Sequence, residues 1–249
     1  MLERAGQHFV NHIIVTGTSV KDSVKAAKMA SQQRSGGGEV VLYSTAGVHP
    51  HDAKRWESEE SGDVIAGLVE EHSGVVVAIG ETGLDYNRMF SSKEEQIAAF
   101  EAQIELAVQT GLPLFLHERD AFEDFYAILA QAMPRVSGAV VHCFTGSKEA
   151  LDAYVALGCY IGITGWVCDE RRGLGLREIV GDIPMDRILI ETDAPFLKPR
   201  GVPEIPKAGK NEPAYLPYVA LSLAEAMGVD VGELIECSTA NARTLFSIQ

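Results

Sequence analysis

Four polar residues, Glu81, His117, His142 and Asp193, stand at or just beyond the C-terminal ends of four different β-branched apolar runs. Imidazole and carboxylate together make a donor set for a divalent ion such as zinc or manganese, or magnesium where carboxylates dominate. One lone histidine at a strand end is more often a buried residue satisfied by neighbouring backbone. Four such residues at four strand ends make coincidence a poor account. Further candidates surround them. His49 and His51 in AGVHPHDA are two positions apart and would share a face if a strand ran through them. Pro50, however, argues that the strand ends there, and a turn capping Asp52 at a helix start is an equally available reading. In GETGLDYN at 80–87 the glycines beside Glu81 let backbone approach a ligand closely, with Asp85 and Tyr86 just beyond. HERD at 117–120 adds Arg119, a fork suited to phosphate or carboxylate, though equally common as a surface residue after a strand.

These residues need a scaffold that gathers strand ends. Apolar runs at 12–17, 39–47, 75–80, 112–117, 139–144, 160–165 and 187–192 alternate with segments of helical spacing. SKEEQIAAFEAQIELAVQTG opens on Ser92 with Glu95 three residues on, a capping-box pattern, and closes on Gly111. Strand followed by helix, repeated, predicts a parallel sheet. No composition shift marks a linker, and the loop-like stretch at 198–213 follows the last run, so residues 1–249 read as a single domain. A doubly wound sheet and a (β/α)8 barrel both fit this pattern, and about 250 residues is typical of the barrel. A barrel also collects strand-end side chains on one rim, which favours it here. The count is one strand short, because MLERAGQHF reads as a helix leading directly into the first run. The expectation is a TIM-like α/β barrel lacking its first strand, as if residues upstream were missing.

Composition narrows the function. Lys plus Arg number 21 against 35 Asp plus Glu, giving a net charge of −14. That field repels polyanions and anionic membranes, so nucleic-acid binding has to be local. Four cysteines without CxxC spacing suit a reducing compartment. The apolar run after MLERAGQHF is too short for a signal or membrane span, and the expected location is the cytoplasm. No GxGxxG follows the first run, and neither GxxxxGK nor GxSxG occurs, so dinucleotide, P-loop and serine-hydrolase chemistries have no anchor.

Taken together, AGVHPHDA, VVAIGETGLDYNR, PLFLHERDA, VVHCFTG, YIGITGWVCDERRG, ILIETDAPFL and KNEPAYLP resemble the TatD-type deoxyribonuclease family, in its bacterial branch, over nearly the whole chain. The resemblance implies a metallo-dependent hydrolase barrel that cleaves phosphodiesters of DNA, and in some members RNA. By motif, Glu81, His117 and His142 fall on family metal positions. Asp193 in ETDAP falls on the acidic position that serves metal and attacking water. Two features depart from the family pattern. The opening strand is missing, and Glu118 stands where a small residue is usual, placing a further carboxylate beside His117.

The reading that follows is a nuclease using one or two divalent ions, magnesium foremost, with manganese or zinc as alternatives. Glu81, His117, His142 and Asp193 would be its ligands, and Asp193 with Glu81 its catalytic carboxylates. Arg119, His49, His51, Tyr86 and Asn211 would line the substrate side. Single-strand ends reach a rim pocket without a broad basic face, which favours a 3′ to 5′ exonuclease over an endonuclease. Two other readings use the same residues: a small-molecule amidohydrolase, and a catalytically weak barrel that acts by binding.

Overall fold

The computed structural model describes residues 1–249 except 57, 203, 204 and 207 and the side chains of 58 and 59. Part of the loop expected at 198–213 therefore lies outside the described residues. In chain order the elements are α1 (Leu2–Gln7), β1 (His12–Val15), α2 (Val20–Ser35), β2 (Val41–Ala46), α3 (Ser58–Glu71) and β3 (Val76–Asp85). Next come α4 (Lys93–Thr110), β4 (Leu114–Arg119), α5 (Phe122–Ala132), β5 (Ala139–Val141), α6 (Lys148–Ala156) and β6 (Tyr160–Ile163). The series ends with α7 (Leu174–Ile179), β7 (Ile188–Ile190), α8 (Leu216–Met227) and α9 (Val231–Phe246). Short 3-10 helices lie between them, one at Pro50–Arg55. Each of the seven apolar runs forms a strand. No described helix is long and apolar enough to cross a membrane.

Contacts divide the chain into two compact units, His12–Val141 with Leu245–Gln249, and Met1–Asn11 with His142–Thr244. In the first, β1 to β5 pair in parallel and in chain order. Parallel strands need crossovers, and α2, α3, α4 and α5 supply them. All ten residues of β3 are buried, as expected of a central parallel strand covered on both faces. Its apolar neighbours Leu114 and Leu116 on β4 are fully buried too. α4 begins as its sequence requires, with Ser92 accepting from Glu95 N–H while Glu95 accepts from Ser92 N–H. It stops at Gly111, whose φ of 71° is the left-handed cap that glycine adopts without a steric penalty.

In the second unit β6 and β7 pair in parallel. α9 holds β7 in place: Ser238 Oγ accepts from Ile190 N–H, and Asn241 Nδ2 donates to the carbonyls of Met185 and Ile188. MLERAGQHF folds as the helix its spacing predicts, and Arg4 forks onto Glu212, with Nη2 2.6 Å from Oε2.

β3 departs from the expected boundaries. The run was expected to end at Gly80, yet the strand continues to Asp85 through GETGLD. Glycine is normally a strand breaker, but Gly80 and Gly83 here take φ of +141° and +137°, values open to residues without a Cβ. A Cβ on either would collide with the backbone of β4, at Phe115 and His117. The two glycines thus let β3 and β4 lie closer than side chains would allow.

Candidate metal centre

Glu81 and His117 are brought together by that approach. The β3–β4 register pairs Gly83 with His117 and shifts between Ile79 and Thr82, so Glu81 sits in an irregularity that re-aims its side chain. Its N–H donates to Gly17 carbonyl at 2.8 Å, so the irregular backbone stays hydrogen-bonded. Glu81 Oε1 lies 3.1 Å from His117 Nδ1 and 3.3 Å from His49 Nε2. One ligand atom from each of these three residues lies within 4.8 Å of the other two, a spacing that can hold a metal ion.

The far side of His117 decides what its near side can do. Nε2 lies 3.3 Å from Asp85 Oδ2, and that same oxygen lies 2.8 Å from His51 Nε2. Asp85 is buried, and its Oδ1 accepts from the N–H groups of Asn87 and Arg88, both at 2.9 Å. Burial alone would raise its carboxyl. The hydrogen bonds from His117, Arg88 N–H and His51 outweigh burial and hold it well below the usual carboxylate range. A carboxylate fixed in this way accepts a proton-bearing nitrogen, so neutral His117 carries its hydrogen on Nε2 and turns the Nδ1 lone pair toward Glu81. Two acceptors then face each other at 3.1 Å. Such a pair calls for a positive centre, either a second proton on His117 or a cation. The donor set therefore fits a divalent ion.

His49 is built differently. Its Nδ1 accepts from His51 N–H at 3.0 Å, capping the 3-10 helix that Pro50 opens. Of the two readings open in the sequence, the cap is the one that forms. With Nδ1 occupied as an acceptor, neutral His49 carries its hydrogen on Nε2, and that N–H points at Glu81 Oε1. Burial lowers the His49 pKa and so favours the neutral ring, while Glu81 acts in the opposite direction. Although near enough to count among ligand atoms, this nitrogen is a donor and suits an anionic oxygen better than a cation. Its place is set by Gln103, fully buried on α4, which clamps both polar groups of Val48: Val48 N–H donates to Oε1 at 2.7 Å and Nε2 donates to Val48 carbonyl at 3.0 Å. Two turns earlier on the same face, Gln96 does the same for Asp85, accepting from its N–H at 2.8 Å and donating to its carbonyl at 3.1 Å. Neither glutamine stood out in the sequence. Their signal was a seven-residue spacing in register with buried Phe100 and Ile104, where apolar residues belong.

Other expected residues lie around this cluster. Tyr86 OH donates to Asp124 at 2.8 Å; burial, reinforced by that carboxylate, raises its pKa. Arg119 is exposed at the end of β4. Glu118, the further carboxylate beside His117, accepts from Ala121 N–H at 2.8 Å, at the start of α5.

His142 and Asp193 belong to the second unit. His142 is buried, with Nδ1 3.2 Å from Glu191 Oε2. That carboxylate, like Asp85 for His117, claims one imidazole nitrogen. Its other oxygen, Oε1, is buried with no hydrogen-bond partner among the described residues, an acceptor that a cation would satisfy. Glu191 was not expected from the sequence, although it stands in ETDAP itself. Asp193 takes φ of 51°, a left-handed conformation costly to a residue with a Cβ, stabilised as Phe196 N–H donates to its carbonyl at 2.8 Å. Burial pushes the neighbouring Cys143 thiol up to about 12, with His142 lowering it and Asp193 and Glu191 raising it further, so in the metal-free protein it stays protonated at neutral pH. Asn211 is buried, and its amide donates to the carbonyls of Thr192 and Phe196, both at 2.7 Å. Its side chain shapes the loop that carries Asp193.

Known proteins resemble the chain over nearly its whole length. The family model for TatD-related DNases matches residues 1–247. The 3′-5′ ssDNA/RNA exonuclease TatD of Shigella flexneri is 46% identical over 248 residues, covering 100% of this chain and 92% of that protein. The crystal structure of a hydrolase TatD family protein from Entamoeba histolytica superposes with a TM-score of 0.88 at 27% identity, over 98% of this chain and 87% of that one. YJJV, a TATD homolog from Escherichia coli, gives 0.87 at 28% identity, over 100% and 91%. The α/β barrel class expected from the sequence is the fold these structures share with it.

Proposed function

Because the chain belongs to the TatD-related DNase family, we propose that it is a divalent-metal-dependent exonuclease that shortens single-stranded DNA, and RNA, from the 3′ end. The observation that carries this reading is the Glu81–His117 pair, with Oε1 3.1 Å from Nδ1 and the far nitrogen of His117 3.3 Å from Asp85 Oδ2. We read residues 1–249 as one domain, in keeping with a family match that spans 1–247. Four cysteines without CxxC spacing support a reducing, cytoplasmic location.

Glu81 and His117 would hold the ion, and magnesium is the species we favour. For His142 and Asp193 a ligand role rests on the motifs VVHCFTG and ETDAP. When bound, such an ion lowers the pKa of a water and offsets charge growing on the phosphate. The chain's own residues do the rest. Asp85 keeps the His117 lone pair aimed at Glu81. His49 holds its Nε2–H beside Glu81 Oε1, and a phosphate oxygen brought there would compete for this buried donor, which can stabilise developing charge. By its motif, ETDAP, Asp193 would be the carboxylate that takes a proton from the attacking water. Arg119 and His51 lie on the substrate side, the first as a guanidinium fork for a neighbouring phosphate. With a net charge of −14, the protein has little long-range pull on a polyanion, and a single strand threading its end into the site suits it better than a duplex laid across a face.

The test is a single-stranded oligonucleotide labelled at its 5′ end, incubated with magnesium, with manganese and with chelator. A ladder of labelled products shortening from the 3′ end, abolished by chelator, is expected. Intact substrate, or products in which the label leaves first as a mononucleotide, would overturn the reading.

A further inference from the structure

One exposed aromatic stands beside the metal-binding cluster and is not used by the mechanism above. Phe90 is 55% exposed, and Met89 before it is 43% exposed. Met89 has φ of 48°, a left-handed conformation that a residue with a Cβ adopts only when its surroundings impose it. The loop is tied down at several points: Lys54 Nζ donates to Phe90 carbonyl at 3.1 Å, Lys54 N–H to Ser91 Oγ at 3.0 Å, and Gln96 Nε2 to Ser91 carbonyl at 3.0 Å. Phe90 is thus an apolar ring on a fixed backbone, held in water. Its one ring neighbour among the described contacts is His51, edge to face at 4.8 Å, and His51 lies 4.3 Å from His49. Lys54, whose ammonium reaches the Phe90 carbonyl, is exposed, as is the next residue, Arg55, which lies 3.4 Å from Asp52.

A rigid, half-exposed aromatic beside cations, one ring away from the residues that meet a phosphate, has the make-up of a base-stacking platform for single-stranded nucleic acid. We propose that Phe90 stacks on a nucleobase flanking the phosphate to be cleaved and so positions the strand end, with Lys54 and Arg55 meeting the adjacent backbone. This rests on the exonuclease reading and deepens it, because stacking accepts any base and demands an unpaired one. Phe90 would then contribute to the preference for single strands without selecting sequence.

The test compares Phe90→Ala and Phe90→Trp with the unchanged protein, on oligonucleotides with normal or abasic residues at the last two 3′ positions. Phe90→Ala is expected to raise KM for the normal strand about 5- to 150-fold, the range for losing one stacked base, with kcat little changed. Phe90→Trp should restore KM, and Phe90→Ala should no longer tell normal from abasic ends. A second readout needs no turnover. The added indole emission of Phe90→Trp should be quenched by an oligonucleotide with nuclease-resistant phosphorothioate 3′ linkages, and not by its abasic counterpart. Equal KM in Phe90→Ala and the unchanged protein, or equal quenching by normal and abasic strands, would overturn the stacking role. If hydrolysis were absent altogether while quenching stayed base-dependent, the exonuclease reading would fail and the platform would stand.

Discussion

Asp85 and His117 face each other from adjacent strands, with Oδ2 3.3 Å from Nε2, and this contact fixes which imidazole nitrogen is turned to Glu81. The carboxylate is buried, hydrogen-bonded on both oxygens and shared with His51, so it has no freedom to serve as a ligand itself. It is a buffer against the wrong tautomer.

Replacing Asp85 should therefore weaken metal binding without removing a ligand. Asp85→Ala is expected to lower manganese affinity about ten- to a hundredfold, the usual effect of losing a partner that orients a ligand. Asp85→Asn, which can still accept through its amide oxygen, should lose less. Calorimetric titration of chelator-treated protein would decide it. Unchanged affinity in both variants would mean that His117 is oriented by something other than Asp85.

Gln103 holds Val48, and through it His49, from a buried position on α4. Gln103→Leu keeps the volume but leaves the N–H and carbonyl of Val48 without that partner, and each such buried group costs about 1–3 kcal/mol. A lower thermal midpoint, together with a KM increase at unchanged metal affinity, is expected. A variant as stable and as active as the parent would show that the clamp is dispensable.

His49 separates a ligand from a donor. If its Nε2–H meets substrate rather than metal, His49→Ala should raise KM while manganese affinity stays within a few-fold, and His49→Gln should recover part of the loss through its amide N–H. A drop in metal affinity as large as that of His117→Ala would make His49 a ligand after all.

The same residue carries a pH signature. Burial places its folded pKa below the ordinary 6.5, so in the metal-free protein the unfolded chain binds the proton more readily. The contribution is fully present above about pH 6.5 and is lost as pH falls from there toward the folded pKa. NMR titration of the ring protons should give a midpoint below 6.5, and His49→Gln should lack that part of the acid-side loss of stability. A midpoint above 6.5 would contradict the burial argument.

The strands were legible because parallel strands buried on both faces read as unbroken apolar runs, and α4 because Ser92, Glu95 and Gly111 mark its ends by local hydrogen bonding alone. Glu81, His117, His142 and Asp193 stood out as polar residues interrupting that pattern. What the sequence hid were pairings made across long separations. Asp85 meets His117 across 32 positions, and Glu191 meets His142 across 49. GETGLD concealed a strand because glycine's usual meaning is a break, and only the nearness of the β4 backbone makes it a requirement here. Asn211, expected on the substrate side, makes hydrogen bonds to Thr192 and Phe196 that no local sequence pattern announced.

The central claim is that Glu81 and His117 together hold the ion that makes the chain a nuclease. Its most direct measurement is calorimetric titration of manganese into chelator-treated protein and into Glu81→Gln and His117→Ala, with nuclease rates followed at each metal concentration. Binding and activity are expected to rise together in the parent, and each substitution should lower affinity and cut turnover at least about a hundredfold in a folded protein. Parent-like affinity and turnover in a folded His117→Ala would contradict the account.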